Sequence, residues 1–207
     1  MQLRTHLWSL VAAVGIALIG AVPAGATPLN LILQPEPDIN WAFGSVNYSA
    51  GTDTLTVTAI AGAVNNMDAF NVVNQPISGG TLSLTANVDG GGNLLGGSFT
   101  VGGTIAAFGF NSGTLLTGNL TALGFPNGSP GALEFLFSAT GGDAQALYGT
   151  NGAMVIGITN GFPGNWNSDF SASFSAPGDI AVIPEPGTFA LLGLGVAGLA
   201  WQRRRVA

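Results

Sequence analysis

Apolar and polar residues alternate along much of the middle of this chain. In Thr54-Leu-Thr-Val-Thr58 the threonines fall on one face and Leu55 and Val57 on the other. In Thr81-Leu-Ser-Leu-Thr85, Leu82 and Leu84 oppose three hydroxyls, and in Phe170-Ser-Ala-Ser-Phe174 the two phenylalanines oppose Ser171 and Ser173. Period two with a Thr- and Ser-rich outer face predicts half-buried antiparallel strands. Turn signals separate the runs. Ser49-Ala-Gly-Thr-Asp53 lies between a strand around Trp41 to Tyr48 and a strand from Thr54 to Ile60. Asp89-Gly-Gly-Gly-Asn93 lies between Leu82–Val88 and Leu94–Val101. Asn127-Gly128, Asn151-Gly152 and Asn160-Gly161 are pairs that turn cheaply because φ > 0 suits them.

The pattern predicts roughly nine to eleven short strands and no helix between residues 27 and 182. The expected fold is all-β, an antiparallel β-sandwich or jelly-roll-like domain. Residues 28–38 read as a leader strand. Ala176-Pro177-Gly178-Asp179 reads as the end of the domain, followed by a short tether to Pro184.

The two ends have a different pattern. Arg4 and His6 precede an apolar run from Leu7 to Ala21, and Ala24-Gly-Ala26 supplies small residues at −3 and −1 of a cleavage after Ala26. Residues 1–26 therefore read as a signal peptide, helical in its apolar part, for a Sec-type export machinery. The other reading is a membrane anchor, but about fifteen apolar residues are short for a span of roughly 20. At the far end, Pro184-Glu185-Pro186 is followed by an apolar run, Gly187 to Trp201, and then by Arg203, Arg204 and Arg205. This is the pattern of a short transmembrane helix over 187–201, its arginines kept on the cytoplasmic side. Its length is marginal for a permanent span.

Residues 183–207, with the Pro-Glu-Pro tripeptide, the apolar run and the terminal arginine cluster in that order, resemble a PEP-CTERM sorting signal. The resemblance implies processing near Pro184-Glu185-Pro186 by an exosortase, a membrane-embedded transpeptidase-like enzyme with a catalytic cysteine. It implies export in a Gram-negative bacterium that makes exopolysaccharide. The membrane would hold the chain transiently through 187–201, and the product would end in the envelope or the extracellular space. Those 25 residues imply nothing about the domain at 27–182, because passenger regions of this family vary widely.

Charge narrows the chemistry of that domain. The chain has four arginines, one histidine, no lysine and no cysteine, and from Thr27 to Val182 it has no basic residue at all. The same 156 residues hold nine acids, a formal charge of −9. A nucleic-acid face needs cations, so nucleic acid is not an expected partner. Ser-His-Asp and Cys-His sites lack their parts, and zinc lacks its usual ligands. Glycine supplies 26 of these residues, about one in six, yet Leu, Phe, Val and Ile are too frequent for a disordered segment.

Four candidate sites remain. Asp89 and Asn93 are weak Ca²⁺ candidates, with Asp53, Asp143 and Asp169 as the other loop acids able to contribute, although the loop matches neither the EF-hand loop nor the Gly-Gly-x-Gly-x-Asp β-roll repeat. No other cofactor is expected. Glu134 lies in the apolar strand Leu133-Glu-Phe-Leu-Phe137. It is either a general acid lacking a second carboxylate or a charge guarding an edge strand. Trp166, flanked by Asn165 and Asn167, has the flat face and amide donors of a glycan contact, or else it is a loop clamp. Asn47, Asn119 and Asn127 begin Asn-X-Ser/Thr triplets that chance explains in so Asn- and Thr-rich a chain.

The reading that follows is an exported, non-enzymatic envelope or matrix protein associated with exopolysaccharide. A carbohydrate-binding module using Trp166 is the alternative, and a polysaccharide-modifying enzyme using Glu134 is the third.

Overall fold

The computed structural model describes residues 28–65, 75–125, 131–150, 152–158, 162–174 and 178–183. Both terminal segments, including the expected helices within 1–26 and 187–201, lie outside the described residues. Among the described residues no helix is long and apolar enough to cross a membrane.

The domain is all-β, with ten strands among the described residues: β1 (Asp38–Ser49), β2 (Thr54–Asn65), β3 (Gln75–Pro76), β4 (Ser78–Val88), β5 (Leu94–Thr104), β6 (Thr114–Gly124), β7 (Gly131–Gly141), β8 (Gly152–Ile158), β9 (Phe170–Phe174) and β10 (Gly178–Val182). It is not the expected sandwich. Strands run in the order β2-β4-β5-β6-β7-β8-β10-β1, every pair antiparallel, and β1 also pairs with β2. The sheet therefore closes on itself as an eight-stranded barrel. A sandwich or jelly roll needs two facing sheets and crossover connections. Here six of the nine pairs of consecutive strands are also sheet neighbours, and β1 is bonded along both edges, so the eight strands close without a break.

Two walls of the barrel are interrupted strands. β9 pairs with the far half of β1 (Tyr48↔Phe170, Gly44↔Phe174) and β10 with its near half (Trp41↔Gly178, Asp38↔Ala181). β3 and β4 divide β2 in the same way. The expected domain end at Ala176–Asp179 is therefore wrong. Gly178 to Val182 is the closing strand, held by β1 on one side and β8 on the other.

Alternation puts one side chain of every two inside. Leu55, Val57, Leu82, Leu84, Phe135 and Ile156 are fully buried, and no described polar or charged residue is. The barrel interior is a packed core. One close approach fixes the closure. A Cβ on Gly178 would overlap the indole of Trp41, so only glycine lets β10 lie against β1 there.

Along β2, β4, β5, β6 and β9 the outward side is neutral and hydroxylated. Ser173, Ser45, Thr58, Ser83, Thr100 and Thr117 face one another in turn across β9, β1, β2, β4, β5 and β6. Thr117 continues the row to Thr140 of β7, Oγ1 to Oγ1 at 3.1 Å. A second row, one step along, runs through Ser171, Asn47, Thr56, Thr85, Ser98 and Asn119 to Ser138. Opposed hydroxyls stabilise such pairings by about 0.2–1 kcal/mol each. A wall facing lipid would carry its apolar side outward, the reverse of this one.

Candidate functional site

One end of the barrel is stoppered by aromatic rings. Tyr48 closes β1, Phe125 follows β6, Phe170 opens β9, and Phe162 and Trp166 come from the segment between β8 and β9. Trp166 meets Tyr48 edge-on at a centroid distance of 4.9 Å. It lies 5.2 Å from Phe125 and 5.5 Å from both Phe162 and Phe170. Only 1% of it is exposed. Asn165 and Asn167 are exposed, and the Asn165 Oδ1 accepts the Asn167 N–H at 3.2 Å. The expected glycan contact therefore needs correction, because both faces of the Trp166 ring are taken and a sugar has none to stack on. Trp166 is the loop clamp.

The loop acids are occupied as well. Asp89 Oδ1 accepts the N–H groups of Gly91 and Asn93, both at 2.9 Å, and Oδ2 accepts the Asn93 amide at 2.9 Å. These bonds, those from Asn93 above all, hold its carboxyl below the ordinary value. Asp169 accepts the Ala50 N–H at 2.8 Å and Asp143 the Ser112 N–H at 3.0 Å. Each ties two connections together. Among the described residues no three acids gather as a metal site would require.

Glu134 lies on the outward face of β7, between β6 and β8, so it guards no edge. Its carboxylate is a clamp. Oε2 accepts the N–H groups of Leu29 at 2.6 Å and Asn30 at 3.1 Å, and Oε1 accepts that of Leu31 at 3.3 Å. Asn30 turns to φ 53°, which aims successive N–H groups at one anion. The Gln34 N–H then bonds the Val182 carbonyl at 2.8 Å. Tied to β7 and β10, residues 28–34 must cross the outside of β8, which lies between them. Ala153 and Ala181, outward-facing yet buried, mark the covered track. The expected leader strand is thus a strap without regular strand structure. Glu134→Gln turns one acceptor oxygen into a donor aimed at those N–H groups. It should cost about 1–2 kcal/mol and raise amide exchange at Leu29 to Leu31, leaving the barrel amides protected. Unchanged exchange there would show that the carboxylate does not hold the strap.

The chain's two tyrosines are both buried, Tyr48 at the stoppered end and Tyr148 in a helical turn, Gln145–Tyr148, at the other. The Tyr48 hydroxyl donates to the Val88 carbonyl at 2.8 Å. Burial, then the neighbouring Asp53, raises its pKa above the ordinary 10.0. Burial, then Asp38 and Asp179, raises Tyr148 well above it. A raised folded-state pKa means stability that is whole below pH 10 and lost as pH climbs through the folded values. Tyrosinate absorbance should therefore stay absent past pH 10 and then appear together with unfolding. A titration at the ordinary value in the folded protein would contradict both burials.

Phe43, one of the aromatics along the chain, is exposed in a way that sequence reasoning did not single out. Inward positions are odd at Ile39 and Trp41 and even at Val46 and Tyr48. Irregularities in the β1–β2 register at Asn40/Trp41 and Ala42/Gly44 absorb the change of phase. Phe43 sits in the second of them with φ 53°, its ring 70% exposed, beside Ile60 at 59%. The change of phase was the available signal.

At the other end the barrel runs directly into the C-terminal segment. β10 finishes at Val182, and residues 182–205 match the family model of the PEP-CTERM protein-sorting motif. The chain carries a PEP-CTERM sorting signal. Such a signal marks an exported protein that an exosortase processes and sorts to the cell envelope or extracellular space of a Gram-negative bacterium. Pro184, Glu185, Pro186 and Arg203 to Arg205 belong to that segment and, like Ala24 and Ala26 of the expected signal peptide, lie outside the described residues. No curated protein and no solved structure matches the chain. The PEP-CTERM signal begins on the last residue of the closing strand, so the expected tether shrinks to Ile183.

Proposed function

We propose that the barrel is a non-enzymatic component of the envelope or extracellular matrix, delivered by its PEP-CTERM signal and associated there with exopolysaccharide. The observation that carries this reading is the junction at Val182. The sorting segment starts where the last barrel strand stops, so removing it near Pro184–Pro186 leaves every barrel strand in place. The delivered unit is then a closed barrel with a hydroxylated wall. Glu134 supports a structural role, because three backbone N–H groups occupy the carboxylate that a general acid would have to offer to substrate. With no cysteine in the chain, the closed sheet must hold the fold without disulfides.

Intact mass of the protein from each fraction of its native host tests this. The expected product lacks residues 1–26 and the segment beyond Pro184–Pro186, and sediments with surface or secreted polysaccharide. A chain that keeps Gly187 to Ala207 and stays in the membrane would overturn the reading. So would turnover of an exopolysaccharide that is lost in Glu134→Gln.

A further inference from the structure

Among the described residues Phe43 is the one largely exposed aromatic side chain, and it stands at a strained point of the backbone. Its φ of 53° suits glycine and is unfavourable for a bulky residue. The register irregularity that creates the strain turns the ring away from the core. Beside it is Ile60, also exposed and paired with Ala42. Two residues beyond Phe43, Ser45 shares a hydrogen bond of 3.0 Å with Thr58, and after that the Asn47 Oδ1 accepts the Ser171 hydroxyl at 2.7 Å. An apolar ridge thus opens onto the two outward rows, whose members repeat about every 4.8 Å across the strands.

The charge of the wall selects its occupant. β2, β4, β5, β6, β8 and β9 contain no ionisable side chain. Of the acids, Asp53, Asp89 and Asp169 sit at one end of the barrel and Asp143 follows β7 at the other, Glu134 is held by the strap, and Asp38 and Asp179 lie on β1 and β10, Asp179 between Asn40 and Val155. From Thr27 to Val182 no Lys, Arg or His is present to meet the carboxylates or sulfates of an acidic glycan, and the domain's −9 charge repels them. A neutral chain of sugars matches both parts, its C–H faces against Phe43 and Ile60 and its hydroxyls along the rows.

We propose that the Phe43–Ile60 ridge, with Ser45, Thr58, Asn47 and Ser171 beside it, is a binding surface for a neutral polysaccharide. This rests on the matrix reading and gives it a site and a class of ligand. The test uses the protein recovered from its host. Retention is measured on an insoluble neutral β-glucan, on alginate and on chitosan, at low and high salt. Retention on the neutral glucan, insensitive to salt, is expected. Phe43→Gly removes the ring and relaxes the backbone, so it should fold at least as stably and bind about tenfold or more weakly. Thr58→Lys should weaken binding too, and Leu95→Ala, which trims another exposed apolar side chain, should not. Equal binding by Phe43→Gly, or retention only on chitosan and only at low salt, would overturn the surface. If the host protein is in the matrix yet does not hold neutral glucan, the surface fails and the matrix reading stands. If it binds glucan but stays in the membrane, the reverse holds.

Discussion

A chain ended at Pro177 will not fold to the closed barrel, whereas one ended at Ile183 will melt like the protein that keeps its C-terminal segment. The difference is one strand. β10 makes four register pairs with β1 and four with β8, and no other strand joins those two. Its loss opens the wall, exposes Ile180's neighbours in the core and strips the Gly178 contact from Trp41. It also removes the Val182 carbonyl that holds Gln34. The sum should reach about 5 kcal/mol or more, comparable to the whole stability of a typical domain. Near-ultraviolet circular dichroism and cooperative thermal unfolding read the outcome. A sharp transition with native aromatic signal in the chain ended at Pro177 would show that β10 is an accessory strand and that the barrel closes without it. For the exosortase, cleavage at the Pro-Glu-Pro leaves the fold whole, while cleavage a few residues upstream destroys it.

Closure is also where the sequence was least informative. The period-two runs at Thr54–Thr58, Thr81–Thr85 and Phe170–Phe174 are found in β2, β4 and β9, and Asp89–Asn93 forms a turn. Local pattern suffices for these, since each strand needs only to know which side is wet. Sandwich and barrel demand the same alternation. What separates them is the pairing of Asp38–Trp41 with Gly178–Ala181, some 140 residues apart in sequence, which no local period records. β10 escaped notice for a related reason. Pro177-Gly178-Asp179 has the composition of a turn, and the glycine that suggests one is there for the Trp41 ring. Glu134 was legible as unusual but not as a clamp, because its partners are backbone groups of Leu29, Asn30 and Leu31, and backbone groups leave no trace in composition. Phe43 and Trp166 exchanged places for the same kind of reason. Polar neighbours made Trp166 look exposed, whereas a regular alternation continued from Ile39 and Trp41 would turn Phe43 inward. A loop folded into the barrel mouth reversed the first, and a register irregularity reversed the second.

Trp166→Ala will damage stability, and any loss of glycan binding will follow from unfolding. The ring contacts Tyr48, Phe125, Phe162 and Phe170, which come from four different places in the chain. Removing it leaves a cavity at the barrel mouth and costs about 3–5 kcal/mol, the usual range for a buried tryptophan. Among the described residues its Nε1–H has no hydrogen-bond partner, so Trp166→Phe mainly loses volume and should cost much less. Denaturant midpoints for the two variants give the comparison, and the Tyr48 titration gives a second reading. With the stopper gone, the Tyr48 phenol gains access to water and its burial-raised pKa should fall back toward 10.0, while Tyr148, at the opposite end, keeps its own. An alanine variant as stable as the parent, with Tyr48 still silent at pH 10, would mean that the aromatic cluster does not seal the barrel. Trp166 would then regain its claim as a contact for sugar. The fourfold packing predicts the opposite order, in which Trp166 fails as core while Phe43, replaced by glycine, fails only as a surface.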